Sequence, residues 1–166
     1  MEGSMSIKKS SMAMRILALV LLAGLASCGP VTREKMIEST SKFKLPYEPK
    51  KDKALIYVVR DNPFAGLVKF NIFVDVIADD YWAGGCMGGQ FIHCYVKPGN
   101  HTLFSKTEGP VASVSFNAEA GKIYYAQLNA TSGFWVANPM LSALDEVTGK
   151  YYLMDCREGQ KGKTEF

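Results

Sequence analysis

The chain has 166 residues, 48% hydrophobic and 11% aromatic, with 19 basic against 16 acidic side chains. That length holds one domain with tails, and its apolar content supplies a core, which excludes wholesale disorder. A mean hydropathy of −0.01 excludes a polytopic membrane protein, and a scattered formal charge of +3 excludes the basic stripe of a nucleic-acid binder.

Lys8, Lys9 and Arg15 precede an apolar run from Ile16 to Leu25. A basic flank and a short apolar run have the layout of a secretory signal. At about 1.5 Å per residue the run reaches about 15 Å, half the thickness of a bilayer core. The run ends in Leu25-Ala26-Ser27-Cys28, which resembles the bacterial lipobox. The resemblance implies cleavage between Ser27 and Cys28, a diacylglyceryl thioether on Cys28 and acylation of the new amine. Gly29, not aspartate, follows the cysteine, which by the same resemblance implies the outer membrane, facing the periplasm. Residues 1–27 are thus expected to be a signal peptide, with the membrane reached through Cys28. Cleavage removes Lys8, Lys9, Arg15 and Glu2 and leaves a nearly neutral body. Attachment then rests on acyl chains, at about 0.8 kcal/mol per buried CH₂, and not on a polybasic patch.

Residues 28–52 are polar, with several lysines and Pro30, Pro46 and Pro49, and show no sustained apolar period. They read as a flexible tether with one helical turn near Glu34–Ser39. Residues 53–157 carry turn signals about every ten residues. Ala54–Arg60 is a β-rich run stopped by Asp61-Asn62-Pro63, and Lys69–Ile77 alternates as a half-buried strand. Tyr81–Gln90, with Gly84-Gly85 and Gly88-Gly89, reads as a loop. Phe91–Val96 and His101–Thr107 flank Lys97-Pro98-Gly99-Asn100 as a hairpin. Val111–Ala118, Lys122–Ala130, Phe134–Asn138 and Leu141–Glu146 supply further strands, and Val147–Cys156 a closing helix or strand. No helical pattern separates the strands, so the expectation is a single all-β, antiparallel sandwich of about seven to eight strands. Residues 158–166 are charged and read as a flexible tail.

Val74-Asp75 in a strand, a glycine-rich step, and then Val96-Lys97-Pro98-Gly99-Asn100-His101-Thr102-Leu103 resemble a PEGA-type β-sandwich hairpin. With Gly121-Lys122-Ile123-Tyr124-Tyr125, Gly133-Phe134-Trp135-Val136 and Asp145-Glu146-Val147-Thr148-Gly149, the stretch 54–156 resembles the bacterial lipoproteins of domain of unknown function 2846. The resemblance implies an immunoglobulin- or prealbumin-like sandwich in the cell envelope and implies no activity. The sequence departs from the pattern at Ala78-Asp79-Asp80, where an Asp-Gly turn is commoner, and in a longer loop that carries Cys86.

Catalytic signatures are sparse. The two histidines, His93 and His101, lie in no H-E-x-x-H, and neither a G-x-S-x-G elbow nor a Walker A loop occurs. Cys86, His93, Cys94 and His101 have the chemistry of zinc ligands, but His93 and Cys94 alternate to opposite faces of one strand, so no metal site is expected. His93 is expected at the surface or rim, beside a buried Cys94. Cys86, Cys94 and Cys156 would meet an oxidising compartment, and one disulfide is expected. Cys86–Cys94 closes about nine residues, worth roughly 2.6 kcal/mol, while pairing either with Cys156 reaches about 4 kcal/mol; the connectivity stays open. Asp75, Asp79 and Asp80 lack EF-hand spacing and read as solvated turn carboxylates. Trp135 reads as strand packing, whereas Tyr81 and Trp82, in the glycine-rich loop, are the candidate ligand platform. These residues describe a non-enzymatic, lipid-anchored envelope protein that uses no cofactor and binds another envelope component or protein. The alternative is a small-ligand or glycan binder working through Tyr81-Trp82. Replacing Cys28 by Ala should leave an uncleaved or soluble precursor, and unchanged membrane partitioning of that variant contradicts the anchor.

Overall fold

A computed structural model describes residues 30–132 and 137–166. The signal expected over 1–27, the anchor at Cys28 and the residues Phe134, Trp135 and Val136 lie outside the described residues. The element order is α1 (Arg33–Thr40), β1 (Ala54–Arg60), β2 (Phe70–Val74), a 3₁₀ turn (Asp79–Tyr81), β3 (Trp82–Cys86), β4 (Gln90–Val96) and β5 (Gly99–Lys106). Then follow β6 (Ala112–Ala118), β7 (Ile123–Ser132), β8 (Ala137–Leu144), α2 (Glu146–Met154), β9 (Arg157–Glu158) and β10 (Gln160–Lys161). No helix among the described residues is long and apolar enough to cross a membrane.

Among the described residues, ten strands form two five-stranded sheets, ordered β8-β7-β1-β4-β9 and β10-β3-β2-β5-β6. β1 lies at the centre of the first sheet and is buried at all seven positions. Its Ala54, Ile56 and Val58 face the second sheet, where Phe70, Ile72 and Val74 of β2 and Leu103 of β5 complete the inter-sheet core. Its Leu55, Tyr57 and Val59 face the other way, into an outer cluster with Phe91, Tyr125 and Leu153 of α2. An unbroken apolar run is what a strand covered on both faces requires. Fully burying each such side chain is worth about 1.5–3 kcal/mol, which makes the outer cluster a second core.

The sandwich has more strands than the sequence suggested, and its first sheet is mixed. β1 runs parallel to β7 and β4 parallel to β9, with antiparallel pairs elsewhere. A parallel pair needs a long crossover, and between β1 and β7 the chain makes β4 and most of the second sheet. The expected hairpin of Phe91–Val96 with His101–Thr107 does not form: β4 pairs with β1 and β5 with β2 and β6, so Lys97-Pro98 carries the chain from one sheet to the other. Tyr81–Gln90 contains a strand, β3, whose bulge opposite Ile72–Phe73 lets both Ala83 and Cys86 face the core.

The termini also differ from expectation. Tyr57 Oη accepts from the Tyr47 amide and donates to the Tyr47 carbonyl, both at 2.9 Å. Tyr95 Oη donates to the Glu48 carbonyl at 3.1 Å. Phe43, Leu45 and Tyr47 thereby pack on the outer cluster, so the second half of the expected tether belongs to the fold. The expected flexible tail is woven along the open edge of both sheets. The Gly159 amide donates to Phe91, residues 160–161 pair with Gly85 and Gly84 of β3, and the Tyr95 amide donates to Thr164. Gly84, at φ +144°, permits this approach, because a Cβ there would collide with the Gln160 carbonyl. Lys50 and Lys53 pair with Glu165 across the same edge. Backbone pairing, indifferent to side-chain polarity, explains why a charged tail becomes ordered.

Helix α2 is capped by Asp145, whose carboxylate accepts from the Val147 and Thr148 amides. Its Gly149 lies flat against Tyr125, where a Cβ would overlap the ring. Gly149→Ala should therefore destabilise by about 1–3 kcal/mol through overpacking, despite alanine's advantage of about 1 kcal/mol in a helix. A lower urea midpoint checks the sign.

Candidate functional site

On β2, Phe70, Ile72 and Val74 point into the core, so Asn71 and Phe73 point outward. Pairing places Lys106 of β5 opposite Asn71, and Phe104 of β5 and Trp82 of β3 on either side of Phe73. A cleft of about 610 Å³ opens over this face, lined by Val68, Lys69, Asn71, Phe73, Lys106, Thr107, Glu108 and Ala137. Its size is that of a small-molecule site. Phe73 and Val68 supply an apolar wall, while two ammonium groups, an amide, a hydroxyl and a carboxylate supply polar contacts. Asn71 accepts from Trp82 Nε1 through Oδ1 at 3.2 Å, which fixes its orientation.

Trp82 thus supports the cleft from β3 and does not line it. Tyr81 is 39% exposed, and the Lys163 ammonium lies over its ring at 5.9 Å. The Lys163 amide donates to the Trp82 carbonyl, and Gly162 passes against the Trp82 ring. The pair expected as an open platform is therefore partly roofed by the C-terminal segment. The cleft lay hidden in the sequence because Asn71, Phe73 and Lys106 come from strands that only tertiary pairing brings together.

A second cluster lies on the outer face of the first sheet. His93 faces outward on β4, but the docked segments leave it 5% exposed, not at a rim. The Tyr47 ring stacks on its imidazole with centroids 3.7 Å apart. Glu158 approaches His93 Nδ1 at 3.4 Å, accepts from the Tyr47 hydroxyl at 2.8 Å and pairs with Lys161 at 3.0 Å. Lys161 also donates to the Tyr47 hydroxyl at 3.0 Å. Sequence proximity gave His93 no carboxylate; the tail brings one. Burial pushes the His93 pKa below the usual imidazole range, against the opposing pull of Glu158. At Glu158 burial acts upward, but the Tyr47 hydroxyl and Lys161 outweigh it and hold the carboxyl below its ordinary range. Covered by Tyr47, the imidazole has the geometry of a fastening between the N-terminal segment, β4 and the tail.

Cys94, on the opposite face of β4 from His93, lies in the inter-sheet core with Cys86. Cys86, Cys94 and Cys156 are free thiols, where the sequence reading expects one disulfide. Cys86 sits on the second sheet with Sγ directed at the Val58 carbonyl, and Val58 pairs with Ile92, two residues or about 7 Å along β4 from Cys94. Cys156 belongs to the outer cluster, on the other face of the first sheet. Burial pushes the Cys86 and Cys94 thiols up to about 12 and Cys156 up to about 11, so they are protonated and poorly nucleophilic. Asp75, expected to be solvated, meets His101 Nδ1 at 2.7 Å and accepts from the Thr102 amide at 2.9 Å. It fixes the turn after β2, where its own φ is +63°. Asp79 and Asp80 are exposed in the 3₁₀ turn.

No family model matches the chain, and no solved structure matches it. The chain is similar to an uncharacterized protein of Haemophilus influenzae (strain ATCC 51907 / DSM 11121 / KW20 / Rd), with 24% identity over 135 residues, spanning 81% of this chain and 76% of that protein.

The His93 cluster sets a pH response. Both depressed pKa values contribute stability that is present above the unfolded-state values and lost as pH falls through the folded ones. The imidazole takes up its proton more readily once unfolded, so the loss begins below about pH 6.5 and continues through the carboxylate range. The melting temperature of the wild type should therefore fall on acidification, and His93→Gln should remove the first part of that dependence. An unchanged pH profile in the variant contradicts the assignment.

Proposed function

We propose that the chain is a non-enzymatic protein of the bacterial cell envelope, lipid-anchored through Cys28, whose sandwich binds another envelope component in the cleft along β2. The observation that carries this reading is the cleft itself: an apolar wall at Phe73 and Val68 facing Lys106, Thr107 and an oriented Asn71. A non-catalytic role is supported by the raised thiol pKa values and by the imidazole sealed under Tyr47. Gly29 after the lipobox-like cysteine supports the outer membrane, and the resemblance of residues 54–156 to the lipoproteins of domain of unknown function 2846 supports the envelope location.

The cleft favours a small component over a protein surface, which brings the glycan reading forward and moves it from Tyr81-Trp82 to Asn71-Phe73. A sugar presents an apolar face suited to Phe73, with hydroxyl or acidic groups suited to Asn71, Lys69 and Lys106. Titration of the full chain with soluble envelope saccharides, followed by tryptophan fluorescence, tests this. Phe73→Ala should weaken saturable binding by about tenfold or more, since a buried aromatic face is worth above 1.4 kcal/mol. Tyr81→Ala should have a smaller effect. Absence of saturable binding to any saccharide, or equal losses at the two positions, contradicts the cleft as the site.

A further inference from the structure

Arg60 ends β1 with its side chain fully buried. Its guanidinium lies over the Phe70 ring at 4.5 Å, and no carboxylate among the described residues pairs with it. It donates instead to backbone carbonyls: Nη2 to Phe64 at 3.0 Å and Ala65 at 2.8 Å, Nη1 to Val68 at 2.5 Å and Cys86 at 3.3 Å. Three of these four carbonyls belong to the loop between β1 and β2. Burying a cation this way is costly, and the loop it holds is not an apolar plug. From Pro63 to Val68 the sequence Pro-Phe-Ala-Gly-Leu-Val has no polar side chain, yet Leu67 is 91% exposed and Phe64 50% exposed. Ala65 adopts φ +50°, a strained value for a residue with a Cβ. The fold thus uses a buried charge and a strained residue to hold apolar side chains out in water.

The loop's backbone resolves what such a surface suits. The carbonyls of Phe64, Ala65 and Val68 are taken by Arg60, and that of Gly66 by the Gly88 amide. The Phe64 amide donates to Asn62 Oδ1, the Val68 amide donates to Ala65, and Pro63 has no N–H. With four of its six carbonyls paired inside the protein and only apolar side chains, the loop has less polar surface to desolvate on entering the interfacial layer of a bilayer. Protein interfaces, by contrast, carry about one hydrogen bond per 100–200 Å². Clefts on the two sides of the loop place cations around it: Lys69 and Lys106 beside Val68, and Arg157 beside Leu67, against Glu108 and Asp61. An apolar tip flanked by three cations against two carboxylates complements the boundary between headgroups and acyl chains of an anionic bilayer.

We propose that the Pro63–Val68 loop inserts into the surface of an anionic lipid bilayer, with Phe64 and Leu67 as the inserted side chains and Arg60 as the strut beneath them. This contact is separate from the Cys28 anchor, which fixes the protein to a membrane without orienting the domain. The test uses the full chain bound to vesicles of phosphatidylethanolamine and phosphatidylglycerol with brominated acyl chains. Leu67→Trp, at an exposed position, is compared with Ile77→Trp at the opposite end of β2 and with the wild-type tryptophan signal. Bromine quenching should be several-fold stronger at position 67 than at 77, and weaker in vesicles of phosphatidylcholine alone. Arg60→Lys in the Leu67→Trp background keeps the charge but not the forked donors, and should reduce the quenching. If circular dichroism shows that this double variant is unfolded, the comparison of positions 67 and 77 decides alone. Quenching at 67 no stronger than at 77, failure of the chain to bind these vesicles, or crosslinking of position 67 to a protein in place of lipid quenching overturns the proposal.

Discussion

Burial of β1 on both faces is the constraint from which the other features follow. A strand of seven buried residues at the middle of its sheet needs one partner layer on each side. The second sheet supplies one, through Phe70, Ile72, Val74 and Leu103. Helix α2 and the segment Phe43–Tyr47 supply the other. The N-terminal segment docks because the outer face of β1 would otherwise expose Leu55, Tyr57 and Val59. The helix contributes Leu153 and a glycine, Gly149, which brings its backbone down onto Tyr125.

That arrangement sorts the polar chemistry by layer. On the outer face, tyrosine hydroxyls hold backbone, and His93 is locked in a network whose members come from segments more than a hundred residues apart. Between the sheets the thiols are kept protonated by desolvation. At the end of β1, Arg60 converts the last buried position into a support for a loop. The outward face of the second sheet combines open volume with unburied polar and aromatic groups.

Ala54–Arg60 was legible to the residue, because a continuous β-branched and aromatic run leaves no alternative. The alternation Phe70-Ile72-Val74 likewise marked β2. Trp82-Ala83-Gly84-Gly85 concealed β3, since its glycines serve the approach of the tail and carry no strand signature. Phe43-Lys44-Leu45-Pro46-Tyr47 did contain a period-two apolar signal, masked by the lysines and prolines around it. The Glu158–His93 contact had no sequence signal: the two residues meet through the parallel pairing of β9 with β4. The same holds for the cleft, whose Asn71 and Lys106 become neighbours only when β2 pairs with β5. The resemblance at Val96–Leu103 suggested a hairpin, but the chain there crosses between sheets, because Pro98 and Gly99 permit a sharp change of direction without demanding that the flanking strands pair.

The strip of chain from Arg157 to Phe166 has a consequence for the order of events during synthesis. It closes both sheets along one edge and carries the Glu158 partner of His93. While these residues are still within the ribosome, β3 and β4 present unpaired backbone, and the imidazole lacks its carboxylate. The two sheets therefore gain this edge only once the segment from Arg157 onward has emerged.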